Sequence, residues 1–380
     1  MSDIYFGRGS KEHFDDYMDF INYVFGFNGN ESDFKKLLPK LYTIDAMPAY
    51  YSFNAIEDGK FRAAIGAFPG AIKVCGIELK TCGIGNVAVH PYTRGEGYMK
   101  KCLNMAIDDM IANGVDISAL GGQRQRYNYF SYEKAGATYQ VSVNKTNLRH
   151  AFGSSKTDVE AIAIKAEDKE YLDYVKDAYK KSDFVPYRDE NKLFDILRTW
   201  RACPYIFKKD GKISGYCVLG GNEITEVYAE DKALIVDFIR ALMENNDSIT
   251  VSLPSFKAEY LEYLEPICDR IVITDNHMFT VLNFKKVILA FMLLKSTYET
   301  LLDGEFKVLI HGRAKDEQLK ITVKGSKISV ENTEEAPDIE LSHLDAMRFF
   351  FTKTCYLRNK YPVSKLWFPL PIWEYSADAV

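Results

Sequence analysis

At 380 residues the chain is long enough for two or three domains of about 150 residues each. Its 47% hydrophobic and 27% charged residues exclude wholesale disorder, and no collagen or coiled-coil period runs through it. A net charge of −5 argues against a general nucleic-acid coat, which needs a basic face toward phosphate.

The N-terminal stretch MSDIYFGRGSKEHFDD lacks the apolar core of a secretory signal. The longest apolar run, 287–294, falls far short of the ~20 residues that span a bilayer, so no membrane span is expected. The seven cysteines are dispersed and never spaced C-x-x-C, which suits a reducing, cytoplasmic location. The six histidines are equally scattered and none lies in H-E-x-x-H, so no metal site is expected.

In chain order, 13–25 has the spacing of an amphipathic helix. Residues 49–56 and 60–68 read as strands joined by the turn Glu57-Asp58-Gly59. Stretch 71–81 alternates apolar and polar, and 85–89 is a short β-branched strand. A glycine-containing loop leads into a helix over 98–113. There Met99, Leu103, Ala106, Ile107 and Met110 share one face, while Lys100, Lys101, Asp108 and Asp109 lie off it. Gly114 supplies a left-handed stop, and 116–120 reads as a buried strand.

A similar order returns from 155 to 285. It gives strand 159–164, helices 166–181 and 191–201, hairpin strands 205–208 and 213–219, strand 224–229, helix 231–244 and strand 248–253. Segments 95–120 and 231–253 both read helix, turn, buried strand, a weak internal duplication. The second copy has no glycine between Glu226 and Leu253, so whatever the first loop holds, the second is expected not to hold. After 286 come a helix over 287–302, strands at 306–310, 317–323 and 327–331, and a helix over 342–351. The tail KLWFPLPIWEYSADAV is too apolar for loose chain and is expected to dock on another domain.

The most informative segment, 86–99, reads NVAVHPYTRGEGYM. A strand ends, Pro91 breaks it, and Gly95 and Gly97 open a helix. Free N–H groups at a helix start, with the helix dipole, make an anion site. Glycines let the backbone approach a pyrophosphate, and Arg94 adds charge for phosphate. A bare G-x-G is equally an ordinary turn. What favours a site is the V-x-V strand before it, Pro91 three residues ahead of Arg94, and the amphipathic helix directly after. A dinucleotide fingerprint would need a third glycine and an acidic strand end.

These residues resemble motif A of the Gcn5-related N-acetyltransferases (GNAT), whose pattern Q/R-x-x-G-x-G/A cradles the pyrophosphate of acetyl-CoA. Arg94, Gly97 and Met99 fill the marked positions, with Met99 where the pattern has Gly or Ala. The next match is 126–136, RYNYFSYEKAG, similar to the family's R/Y-x-x-F-G-F/Y segment, whose aromatic hydroxyl protonates the departing thiolate. By that alignment the acid is Tyr132, a donor near neutral pH, while Tyr127 and Tyr129 read as packing aromatics.

The whole-chain order looks like the Eis (enhanced intracellular survival) family. The resemblance implies a mixed α/β (α+β) chain of tandem GNAT folds, the second degenerate, plus a sterol-carrier-like α/β domain. The expected units are 1–150, 151–285 and 286–380, with segment 338–347 resembling the carrier's strand-to-helix stretch. Backbone at Val87, Ala88 and Val89 would meet the pantetheine and thioester. Arg94, Gly95, Glu96, Gly97, Tyr98 and Met99 would meet the pyrophosphate. The tail would bring the Val380 carboxylate into the site as base, although a chain end is as readily frayed.

The implied activity is acetyl transfer from acetyl-CoA to a polyamine, an aminoglycoside-like amine or lysine, in a homo-hexamer. Arg124, Arg126, Lys100 and Lys101 are candidates for the CoA 3′-phosphate, though a solvated face explains each. His90 and the acidic trio Asp15, Asp16 and Asp19 read as incidental. Two rival readings stay open, an acetyl-CoA sensor without turnover and a lipid-binding protein.

Overall fold

The strand signals between 49 and 89 fold into three antiparallel neighbours, Ser52–Glu57, Lys60–Val74 and Ile77–Val89. In the computed structural model, which describes residues 4–27, 29 and 32–380, they form the middle of an eight-stranded sheet. The stretch 71–81, which alternates without a break, is a hairpin. Cys75 (φ 46°) and Gly76 (φ 83°) make its turn, and each half lengthens the strand beside it. The apolar alternation runs through the reversal, so periodicity could not reveal it.

Along this first sheet the order is Ile4–Arg8, Ser52–Glu57, Lys60–Val74, Ile77–Val89, Ile117–Leu120, His277–Val281, Glu133–Ala135, with Phe184–Pro186 added on Lys60–Val74. One pair is parallel, Ile77–Val89 with Ile117–Leu120. The helix Tyr98–Ala112 makes that crossover and packs Cys102, Leu103, Ala106 and Ile107 on Cys82 and Ile84.

The second sheet repeats the plan. Glu160–Ala163, Cys203–Lys209, Lys212–Gly220 and Glu223–Ala229 run antiparallel in sequence, the helix Ile235–Leu242 crosses over, and Ser248–Pro254 pairs parallel to Glu223–Ala229. The helix read over 191–201 is shorter, Leu193–Leu197, because Trp200 takes φ 59° and breaks it. A third, four-stranded sheet holds Lys327–Asn332, Asp316–Lys324, Gly304–His311 and Ile339–Ser342. The last strand runs straight into the helix His343–Phe351.

Sheet membership does not follow chain order. Thr138–Asn144 pairs in the second sheet, between Ser248–Pro254 and Arg270–Thr274. His277–Val281 returns to the first sheet, between Ile117–Leu120 and Glu133–Ala135. The helix Phe284–Ser296 is buried on both sides: Ile288 and Phe291 share one apolar cluster with Leu79 and Ile117 of the first sheet and Val308 and Ile321 of the third. The tail joins that cluster through Trp367, Phe368, Leu370, Ile372 and Trp373. Each such side chain, fully buried, contributes about 1.5–3 kcal/mol, so the tail is a packed part of the fold.

Candidate active site

The parallel pairing in the first sheet covers Thr81–Ile117, Cys82–Ser118, Gly83–Ala119 and Ile84–Leu120, and then stops. Beyond it the chain turns away through Gly121 and Gly122, while Gly85 to Val89 continue, paired on their other side alone. A register shift falls between Ala64 and Gly66, opposite Asn86 (φ 37°). The Asn86 side chain is clamped, accepting from Tyr42 Oη and donating to Tyr17 Oη, both at 2.7 Å. His90 N–H donates to Arg62 O. By alternation, the main-chain groups of Val87 and Val89 point into the split and those of Ala88 point away from it. The Ala88 side chain packs in the cluster with Ala64 and Phe68.

At the end of this strand the turn Pro91–Thr93 leads to Arg94, Gly95, Glu96 and Gly97, all exposed. Gly95 has φ 98° and Gly97 φ 80°. The helix starting at Tyr98 has no side-chain cap and no acidic residue in its first turn. Its first N–H groups and dipole are therefore available to an anion. Tyr98 and Met99 are half-buried and pack against the cluster beneath. Arg94 makes no ion pair among the described residues.

The other basic candidates divide. Arg124 forms a two-pronged pair with Glu133, which also takes Arg348. Lys101 lies over the Phe6 ring and Lys100 over Tyr129. His90 Nδ1 accepts from Tyr92 N–H at 3.4 Å, so it shapes the turn. Asp15, Asp16 and Asp19 lie on the solvent side of their helix.

Cys82 and Ile84 face the crossover helix, so Gly83 and Gly85 face the opposite side of the sheet, where the tail ends. A Cβ at Gly83 would meet Val380 Cγ2 at 2.5 Å, and one at Gly85 would meet the Val380 carboxyl carbon at 3.2 Å. Both glycines are needed for this close approach. The tail is tied just upstream. Arg188, 1% exposed, holds Asp378 with two bonds of 2.8 Å and Glu226 with two of 2.9 and 2.6 Å. Lys40 Nζ donates to Ala377 O at 2.6 Å.

A cavity of about 270 Å³ lies between this end of the tail and the sheet, bordered by Gly83, Phe68, Trp373, Glu374 and Val380. Burial pushes the Glu374 carboxyl up to about 7, with Lys40 opposing and Asp378 adding to the rise. Burial lowers Lys40 to about 8, against the pull of Asp378 and Glu374. Reading the sequence alone missed Glu374, Arg188 and Lys40. The one available signal was a pair of carboxylates set in an otherwise apolar tail.

Tyr132 is fully buried on the helix side of the sheet. Its hydroxyl lies 2.7 Å from Ser118 Oγ, which donates to Cys82 O at 2.7 Å. Ser118 has one proton to give, so Tyr132 donates to Ser118. Burial raises its pKa well beyond the ordinary tyrosine range, keeping the phenol protonated. Tyr132 and Val380 thus lie on opposite faces of the sheet. Tyr127 packs its ring against Gly122, where the chain leaves the sheet, so closely that a Cβ there would collide with it.

The second sheet has the same split with a different filling. Its parallel pairing ends at Ile224–Val251, which makes Val227 and Ala229 the counterparts of Val87 and Val89. Lys257 Nζ donates to Val227 O at 2.9 Å, and Ala229 N–H donates to Tyr260 Oη at 3.1 Å. Side chains of the chain itself thus cap here the groups that in the first sheet have no partner among the described residues. Among the described residues, no group of three or more His, Cys, Asp or Glu is placed to hold a metal, and no helix is long and apolar enough to cross a membrane.

Residues 7–140 match the model of the acetyltransferase (GNAT) domain. No curated protein sequence matches the chain. Among solved structures, the chain is similar to a GCN5-related N-acetyltransferase from Kribbella flavida (TM-score 0.69, 15% identity, covering 98% of this chain and 97% of that one). It is also similar to one from Anabaena variabilis (0.69, 12%, 98% of each) and to Eis1 from Mycobacterium abscessus (0.64, 12%, 98% of each). At these identities the likeness is one of fold. The chain carries a GNAT acetyltransferase domain, and its enzyme class is N-acetyltransferase. The two like sheets are the tandem GNAT-like folds of a mixed α/β molecule.

Proposed function

We propose that the chain transfers the acetyl group of acetyl-CoA to a primary amine by direct attack. The contrast between the two sheets supports this most: the groups past the parallel pair are capped by Lys257 and Tyr260 in the second and left open in the first. In this reading the main-chain groups of Val87 and Val89 meet the pantetheine and thioester, Ala88 between them anchors the strand from its other face instead of meeting the cofactor, and Val89 N–H stabilises the oxyanion. Arg94, Gly95, Glu96, Gly97, Tyr98 and Met99 hold the pyrophosphate. The ammonium gives a proton to the Val380 carboxylate, directly or through water. The amine then forms the C–N bond, its surplus N–H proton passes to solvent, and as C–S breaks Tyr132 protonates the thiolate and is itself reprotonated from water. That last help is modest, since the thiol pKa is about 8.5. It also requires the Tyr132 phenol to leave Ser118. Tyr127, against Gly122, is the second reading for the acid.

By resemblance the primary-amine classes to test are polyamines, aminoglycoside-like amines and lysine side chains. On the same ground we infer acetyltransferase, degenerate and sterol-carrier-like units at 1–150, 151–285 and 286–380, lending one another the strands described above. We also infer a cytoplasmic homo-hexamer. The test uses untagged protein, acetyl-CoA and an amine panel, following free thiol. Thiol release supports the transferase, and Tyr132→Phe should then slow turnover while acetyl-CoA binding persists. If only Tyr127→Phe slows it, the acid is Tyr127. Binding without release from any amine selects the sensor. No binding at all makes the glycine loop a mere turn and leaves the lipid-binding reading of the third unit.

A further inference from the structure

The cavity beneath the tail has about 270 Å³, just under the ~300–1,000 Å³ of common ligand pockets. Phe68, Phe184, Phe279 and Trp373 make much of its wall. Its charged border carries Lys40, Arg188 and Lys192 against Asp189, Glu374, Asp378 and the Val380 carboxylate.

Most of these charges are engaged. Arg188 holds Asp378, Lys40 donates to Ala377 O, Lys192 donates to Lys40 O, and Asp189 accepts from Asn191 N–H. The Glu374 carboxylate has no hydrogen bond or ion pair among the described residues; its main chain alone is tied, to Asn276. A carboxylate without a hydrogen bond beside an aromatic wall is costly unless a cation meets it, and Lys40 acts on this one through space alone.

We propose that this cavity takes a compact apolar monoamine, its one ammonium between Glu374 and Val380 and its body against the aromatic wall. A polyamine would bring further positive charges against Lys40, Arg188 and Lys192 on the same border. A three-ring aminoglycoside would have to leave most of its rings outside it. The inference rests on the transfer reading only in taking this cavity as the acceptor site.

The experiment compares 2-phenylethylamine and hexylamine with spermidine, kanamycin and a lysine peptide, using untagged protein and saturating acetyl-CoA. Binding of 2-phenylethylamine is measured separately by calorimetry. The monoamines should show at least tenfold higher kcat/KM. Glu374→Gln should raise the KM for 2-phenylethylamine about tenfold with the Kd for acetyl-CoA unchanged. Ala71→Leu, which narrows the cavity, should weaken 2-phenylethylamine and spare acetyl-CoA. Preference for spermidine, kanamycin or the peptide overturns the inference, as does an unchanged KM in both variants. If no amine turns over but 2-phenylethylamine binds and Glu374→Gln weakens it, the transfer reading fails and the cavity assignment stands. No binding and no turnover overturns the assignment.

Discussion

Two glutamates near the tail have their pKa values pushed in opposite directions. For Glu226, burial favours the neutral acid, but the Arg188 charge and the bonds from Arg188 and Tyr216 prevail and hold it below the ordinary range. Its stabilisation is present above the unfolded pKa and is lost as pH falls through the depressed folded one. Glu374 has no such partner, and burial raises it from 4.5 to about 7. Between those values the folded chain keeps a proton that the unfolded chain has released. Stability therefore falls as pH rises through that window and stays lower above it. The loss amounts to roughly 3 kcal/mol. Glu374→Gln mimics the protonated acid, so it should melt with the parent at pH 5 and several degrees above it at pH 8. Calorimetric scans at the two pH values check this; an equal gain at both would mean that Glu374 does not titrate in that window. A carboxylate kept at such a cost is where a functional role is expected.

At the scale of elements, the loop before Tyr98–Ala112 carries the sharpest expectation. A Cβ at Gly97 meets nothing within 4 Å, so the glycine serves backbone direction and not space. An L side chain at its φ of 80° costs about 1–2 kcal/mol. Arg94→Ala removes a charge that supports nothing in the fold. It should weaken acetyl-CoA by about tenfold or more, the value of a hydrogen bond to a charged group, and leave Tm unchanged. Gly97→Ala should lower both. If Arg94→Ala binds acetyl-CoA as tightly as the parent, Arg94 does not meet the phosphate. This loop and helix were legible because Gly, Pro and a 3.6-residue stripe act locally. The strand exchange was not, because alternation reports which face of a strand is buried and not which strand lies beside it. Thr138–Asn144 and His277–Val281 look the same in either sheet. Nor does any local pattern announce that Arg188 meets Asp378 and Glu226, or that Asn86 takes φ 37°.

At the scale of the molecule, the tail makes the candidate site depend on all three sheets. Leu370 N–H donates to Phe350 O beside the third sheet, and Glu374 is paired through its main chain to Asn276. Ala377 is held by Lys40, and Asp378 by Arg188, which also holds Glu226 of the second sheet. Val380 comes after all these ties, against the first sheet's Gly83 and Gly85. Lengthening the chain by a few residues beyond Val380 should therefore leave the anchors and Tm intact while converting the carboxylate to an amide. If that carboxylate takes the ammonium proton, turnover should fall by about 10²–10⁴, the usual worth of a positioned base. Acetyl-CoA affinity should hold, because the Arg94 loop lies at the far end of the Ile77–Val89 strand. A lengthened chain with full turnover would mean that the proton goes elsewhere. Glu374 borders the same cavity and is raised to about 7, so it would then be the carboxylate whose proton affinity suits the task.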